Sequence, residues 1–242
     1  MPRVDVVVPV YNEQHSLPQS IPNLRDFLHS DSFPYEWKII IADNASIDDT
    51  PGVSHGLAER FPGEVEYVRI ERKGRGYALK QTWGKSSADI MSYMDVDLST
   101  SLTAFPKLIG SIAEDGYGVA TGSRLARNSR TTRSFKRTVL SIGYNTIIKA
   151  AFWTRFSDAQ CGFKAISSEV ARGVLPLIED NNWFFDTELL ILAEKMGYRV
   201  KDIPVEWVED PDTRVKIGST VSEDLRGLWR MRTGRPWRRA RP

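Results

Sequence analysis

The chain has 242 residues, of which 41% are hydrophobic and 26% charged, with a formal net charge of +2. That length and apolar content suit one α/β enzyme with a sizeable core and exclude a globally disordered chain. The near-neutral balance argues against bulk polyanion binding, yet charge is unevenly spread: no acidic residue occurs from Gly116 to Ser157 or after Asp224, and both stretches are rich in arginine. Two local positive fields point to anionic ligands or surfaces.

In chain order, strand-like runs fall at Val4–Pro9, Lys38–Ala42, Val65–Ile70, Ile90–Met94 and Gly118–Ser123. Helical patterns separate them at Leu17–His29, Thr50–Arg60, Tyr77–Lys85 and Ala104–Glu114. The runs VDVVVPV and WKIIIA are continuously apolar, which suits strands covered on both faces. This alternation predicts a mostly parallel sheet with helices on both sides, with ligands at the carboxyl ends of the strands. The second half predicts helices over Arg137–Phe152, Ser168–Leu177 and Asp186–Met196, strands at Gly162–Ile166 and Val200–Trp207, and a helix from about Ser222. One domain over 1–220, followed by a C-terminal helix and basic tail over 221–242, is the expected organisation.

Cys161 is the only cysteine, which excludes an internal disulfide and predicts a reducing compartment. The first residues lack a signal-peptide pattern, and no run of about 18 apolar residues occurs. A cytoplasmic protein, peripheral at the cytoplasmic face of a membrane, is the expectation.

The strand ends carry the chemistry. Asp95-Val96-Asp97 follows IMSYM, and two adjacent carboxylates there suit Mg²⁺ or Mn²⁺, hard ions that combine carboxylates with phosphate oxygens. Alternatively, Asp97 caps the next turn. Asp43, after WKIIIA, can accept hydrogen bonds from a base or ribose, or can close an Asx-type turn. Tyr11-Asn12-Glu13 leaves the first strand as a nucleotide contact or a polar loop. In Lys73-Gly74-Arg75-Gly76, Gly74 permits close approach of a donor phosphate at a helix N-terminus, although a plain strand-to-helix turn also explains it. His15, His29 and His55 show no metal-ligand spacing, and no Gly-x-Ser-x-Gly elbow is present.

Together, Pro9-Val10-Tyr11-Asn12-Glu13, Asp43-Asn44-Ala45-Ser46, Asp95-Val96-Asp97-Leu98, Gly122-Ser123-Arg124 and Gln160-Cys161-Gly162-Phe163-Lys164 resemble the family 2 glycosyltransferases. Trp183–Leu190 and Pro204–Trp207 fit the dolichyl-phosphate hexose synthase branch. The resemblance implies a GT-A fold, a single Rossmann-like domain, with a divalent metal and inversion at the sugar C1. It implies that Pro9, Tyr11, Glu13 and Asp43 hold base and ribose, and that Asp95 and Asp97 hold metal and diphosphate. Arg124, Arg137 and Ser141 are implied at the acceptor phosphate, Asp186 and Glu188 at the sugar, and Arg214 and Lys216 on a loop closing over the diphosphate. Two places depart from the family pattern: Asp43-Asn44 has one carboxylate where relatives have two, and Ser99 stands where mannose-branch relatives often have Gln. The run from Asp158 to Lys164 resembles the glucose branch, favouring UDP-glucose over GDP-mannose.

The expected reaction is direct displacement. An acceptor phosphate is anionic at neutral pH and needs no strong base; Arg offers it a planar bidentate match. A polyprenyl acceptor implies a membrane surface, reached through the Arg-rich tail with Trp229 and Trp237 or through a separate membrane-anchored partner. The apolar helix Arg137–Trp153 lies either at the bilayer edge or in the core. Other readings are a soluble phosphorylated acceptor and a catalytically silent membrane-docking module. A sugar-phosphate nucleotidyltransferase would carry a Gly-rich loop where Val10-Tyr11-Asn12-Glu13 stands, and nucleic-acid binding would need aromatics that 124–134 lacks.

Overall fold

The structure, a computed structural model, describes residues 1–132, 134–208 and 217–238. The apolar run at the start becomes β1 (Arg3–Val10), burying Val4, Val6, Val8 and Val10 on one face and Val7 on the other. Burial on both faces is why this strand carries no polar alternation. Next come α1 (Leu17–Leu28), β2 (Glu36–Asn44), α2 (Thr50–Arg60), β3 (Val65–Ile70), α3 (Arg75–Lys85) and β4 (Ile90–Met94). In α1, Leu17, Ile21, Leu24 and Leu28 recur at helical spacing and all are buried.

The remainder comprises α4 (Phe105–Ala113), β5 (Val119–Ser123), β6 (Arg130–Thr132), α5 (Phe135–Phe152), β7 (Phe163–Ser167), α6 (Ser168–Val174), α7 (Phe185–Lys195), β8 (Val200–Pro204), β9 (Glu206–Val208) and α8 (Ile217–Gly234). Seven strands form one sheet in the order β3-β2-β1-β4-β7-β5-β8. All its pairings are parallel except those of β7, which runs antiparallel to β4 and β5. Helices α1, α2 and α4 cover one face, and α3, α6 and α7 the other, where α5 and α8 also contribute core residues.

Three details depart from the sequence expectation. The strand expected over Val200–Trp207 is two strands, because after Pro204 the chain leaves the large sheet and pairs with β6 as a small parallel ribbon. The helix expected to Leu177 ends at Val174 and continues as a 3₁₀ turn, Leu175–Leu177. The last helix, expected from about Ser222, begins at Ile217, and it buries Leu228 and Met231 in the core.

Candidate active site

The loops after β1, β2 and β4 meet at the carboxyl edge of the sheet. The loop after β1 is tied to the loop after β2: Asn12 N–H donates to Ser46 Oγ (2.9 Å), Ile47 N–H to Asn12 Oδ1 (2.9 Å) and Glu13 N–H to Thr50 Oγ1 (2.8 Å). Asn12 (φ 56°) and Ala45 (φ 59°) both take the left-handed conformation. Asn tolerates it, whereas at Ala45 it costs energy that these cross-loop bonds offset. Lys73 Nζ lies 3.6 Å from the centre of the Tyr11 ring, placing a cation at the mouth of this loop pair.

Asp43 is fully buried and accepts from Ser46 N–H (2.9 Å), the Tyr67 hydroxyl (2.9 Å) and Arg69 (2.6 Å). Burial pushes its pKa up, but these donors outweigh burial and hold the carboxyl below its usual range.

The centre of the site is a chain of charges across β4, α3, β7 and α7. Arg75, at the start of α3, donates to Asp186 Oδ2 (2.7 Å) and to Asp95 Oδ1 (3.1 Å), with its side chain only 11% exposed. Its guanidinium lies over two aromatic rings, 4.7 Å from the centre of Tyr93 and 5.0 Å from that of Trp183. Asp186 also accepts from the Tyr93 hydroxyl, and Lys164 Nζ lies 3.3 Å from it. Burial raises the Asp186 pKa, but Lys164 and Arg75 outweigh it and keep the carboxylate ionised. Asp95 hydrogen-bonds the Gly162 carbonyl through its backbone N–H (3.2 Å), and its carboxylate lies against the Gly162 backbone, where a side chain would collide. Leu98 (φ 50°) turns the chain back, and Asp97 Oδ1 accepts from Ser99 N–H (2.9 Å). Beside this turn, β9 bonds back through Val208 N–H to the Ser99 carbonyl (3.0 Å).

Residues 5–175 match the model of glycosyl transferase family 2. The chain belongs to that family. It is a glycosyltransferase with the GT-A fold. Among curated relatives, glycosyltransferase AglD of Haloferax volcanii is 34% identical over 241 residues, covering 96% of this chain but 38% of its own length. A dolichyl-phosphate beta-glucosyltransferase of Dictyostelium discoideum is 27% identical, covering 95% of this chain and 73% of its own. Among solved structures, glucosyl-3-phosphoglycerate synthase of Mycobacterium tuberculosis in complex with UDP superposes with a TM-score of 0.72 at 20% identity, covering 96% and 80% of the two chains. Mannosyltransferase PcManGT of Pyrobaculum calidifontis, in complex with GDP-Man and Mn²⁺, gives 0.59 at 20% identity, covering 96% and 61%.

The other expected site residues take the following places in the fold. Gly74 (φ 150°) is glycine because the Asn181 carbonyl fills the place of a side chain, and Gly76 because Phe185 does. The Arg124 guanidinium makes a bidentate pair with buried Asp158 (2.7 and 3.0 Å), so its charge is compensated within the protein rather than presented to an acceptor. Glu188 does not join Asp186. Two residues apart on a helix, the side chains diverge, and Glu188 accepts from Asp180 N–H and from Arg230 of α8 (both 2.9 Å). Asp43 anchors its loop, accepting from Ser46 N–H three residues on, from the Tyr67 hydroxyl and from Arg69. Pro9 is the penultimate residue of β1, beside Ala42 of β2. Arg137 and Ser141 align on α5 with buried Asn145, Ile148 and Phe152, on the stripe turned towards the body of the protein. Arg214 and Lys216 lie outside the described residues.

The sequence reading assigned no role to Arg75, Tyr93, Trp183 or Lys164. A signal existed for two of them: Tyr93 and Lys164 are large polar side chains in buried, mainly apolar strands, and such groups are kept only with partners. The donor set suits a divalent ion bound together with a nucleotide. Asp95 and Asp97 are two hard oxygen donors, Gly162 leaves Asp95 room, and no cluster of three or more potential ligands occurs among the described residues. Mg²⁺ and Mn²⁺ sites of this kind are completed by substrate phosphates and water.

Proposed function

We propose that this glycosyltransferase moves a hexose, with inversion at C1, from a nucleotide sugar to a polyprenyl or dolichyl phosphate, with UDP-glucose favoured as donor over GDP-mannose. One observation carries the reading: Arg75 bridges Asp95, one of the pair at the end of β4, to Asp186 on α7. That bridge joins the diphosphate side of the site to the sugar side through one guanidinium. Dolichyl-phosphate beta-glucosyltransferases recur among the relatives, which supports both the donor and the acceptor class.

Asp95 and Asp97 would hold the divalent ion, which neutralises charge on the departing diphosphate. Asp186, kept ionised by Lys164 and Arg75, accepts hydrogen bonds from sugar hydroxyls and orients C1 towards the acceptor. Tyr11 and Lys73 frame the nucleoside, with Glu13 and Pro9 fixing that loop. Arg137 and Ser141, on the inward stripe of α5, meet the acceptor phosphate. That phosphate is already a nucleophile, so positioning supplies most of the catalysis. No helix among the described residues is long and apolar enough to cross a membrane. A polyprenyl acceptor would be met at a membrane surface, alone or beside a membrane-anchored partner.

A second reading has one specific support: the fold superposes on a glucosyl-3-phosphoglycerate synthase, whose named product is a soluble phosphorylated glucoside. Incubation with Mg²⁺ or Mn²⁺, labelled UDP-glucose or GDP-mannose, and either polyprenyl phosphate or 3-phosphoglycerate separates the two. Label entering the lipid phase, and lost with EDTA or in Asp97→Asn, is the expected result. Label entering only the soluble acceptor overturns the lipid reading, and undiminished transfer by Asp97→Asn overturns the metal pair.

A further inference from the structure

A lysine stands inside the large sheet, where lysines are rarely found. Lys164 lies on β7, opposite Tyr93 of β4 and Thr121 of β5, and is 0% exposed. An isolated ammonium is strongly disfavoured in such a place, so its contacts explain why it is kept. Its Nζ donates to the Cys161 carbonyl (2.5 Å) and lies 3.3 Å from Asp186 Oδ1. The Tyr93 hydroxyl reaches the same two acceptors: it donates to Asp186 Oδ1 and lies 3.4 Å from the Cys161 carbonyl.

Proton counting separates the two donors. A tyrosine has a single O–H to give, and here its shorter contact is to Asp186. An ammonium has three protons, so Lys164 can meet the Cys161 carbonyl and the Asp186 carboxylate together. Those two acceptors belong to different sides of the site. Asp186 lies in the first turn of α7, at the proposed sugar. Cys161 precedes Gly162, whose carbonyl accepts the Asp95 N–H (3.2 Å) and whose missing side chain makes room for the Asp95 carboxylate. Arg75 joins the two carboxylates directly, and Lys164 joins them again through the backbone of Cys161 and Gly162.

We infer that Lys164 is a positioning residue for the transfer. Its ammonium fixes the Asp186 carboxylate against the Cys161–Gly162 segment, and through that segment sets its place relative to Asp95. Besides keeping Asp186 charged, it therefore holds the group that orients the sugar at a set distance from the group at the diphosphate. The inference rests on the reading of Asp186 as a sugar contact and of Asp95 as a metal and diphosphate ligand.

The test compares Lys164→Met, Lys164→Arg and Tyr93→Phe in the full chain. Transfer kinetics with Mn²⁺ are measured beside calorimetric binding of the nucleotide sugar and of its free nucleoside diphosphate, UDP or GDP. Lys164→Met should lower kcat/KM by about 10²-fold or more, the effect of a shift of about 1 Å at the reacting centre. Its affinity for the free diphosphate should stay near the parent's, because Asp95 keeps its bonds to Gly162 and Arg75; general loss of structure would lower both. Tyr93→Phe leaves Lys164 its protons for both acceptors and should cost much less than Lys164→Met. Lys164→Arg keeps the charge in a broader head and should fall between Lys164→Met and the parent, with kcat down by about tenfold. Near-parental kcat/KM in Lys164→Met overturns the inference, as does a parallel loss of diphosphate binding or an equal loss in Tyr93→Phe. Should Lys164→Met fail to fold, Lys164→Arg decides: a lowered kcat with unchanged diphosphate affinity supports the inference, and a parental kcat overturns it. A parent that transfers to neither acceptor counts against the proposed reaction alone, and binding then decides. The sugar's contribution to affinity, nucleotide sugar against free diphosphate, should vanish in Lys164→Met; an equal contribution in both proteins overturns the inference.

Discussion

Replacing Gly162 with alanine probes the site without touching any charged residue. A methyl carbon built at this position would lie 1.8 Å from Asp95 Oδ2 and 2.5 Å from its Cγ. To restore a contact near the usual ~3.5 Å, the carboxylate must retreat by roughly 1.5 Å. That motion draws Asp95 from Arg75, now 3.1 Å away, and from any ion shared with Asp97. A misplacement of about 1 Å at a reacting centre can cost about 10²-fold. Gly162→Ala is therefore expected to lower kcat/KM by about 10²-fold or more and to weaken Mn²⁺ dependence, while overpacking costs about 1–3 kcal/mol of stability. The assay is release of nucleoside diphosphate titrated against both donor and Mn²⁺, with a urea melt on the same sample. Gly56→Ala in α2, where a side chain meets nothing within 4 Å, is the comparator and should keep full activity. Near-parental kcat/KM and Mn²⁺ response in Gly162→Ala would refute the placement of Asp95 in the reaction.

Three further outcomes follow from buried charge. Arg75→Met leaves Asp186 and Asp95 short of a cation and should cost about 3–5 kcal/mol in a urea melt; Arg75→Lys should recover part of the stability but less of the activity, since an ammonium lacks the fork that reaches two carboxylates. Asp158→Asn leaves Arg124 buried without its bidentate counter-charge, with an expected loss of about 3 kcal/mol by the same measurement. Asp224 is a pH element: burial, with Asp180 and Glu223 nearby, raises its pKa to about 7 despite hydrogen bonds with Tyr144 and Gln160. Because its folded pKa lies above the unfolded value of about 3.9, the folded state binds the extra proton and stability falls as pH rises between those two values. Asp224→Asn should flatten that slope, gaining on the parent above pH 7 and matching it below about pH 4; parallel stability curves for the two proteins would refute the assignment.

The sequence determined the elements with a local cause. The continuous valines of β1 and isoleucines of β2 specify strands buried on both faces, and their alternation with amphipathic helices specifies a largely parallel sheet. The position of Asp95 and Asp97 at the end of a strand followed from the same pattern, because strand ends are set by local runs of residues. Tertiary structure decided whatever depended on distant partners. Nothing local reveals that β7 inserts antiparallel between β4 and β5, since strand order reflects loop paths and shared core. Arg75 takes one carboxylate from 20 residues away and another from 111, so its role exists only once β4, α3 and α7 are assembled. Asp186 and Glu188 looked equivalent in sequence and were separated by helical geometry, one turned to Arg75 and the other to Arg230. Whether α5 is core or surface was likewise undecided, because hydrophobicity records what a helix would bury and only the fold shows which face is left uncovered.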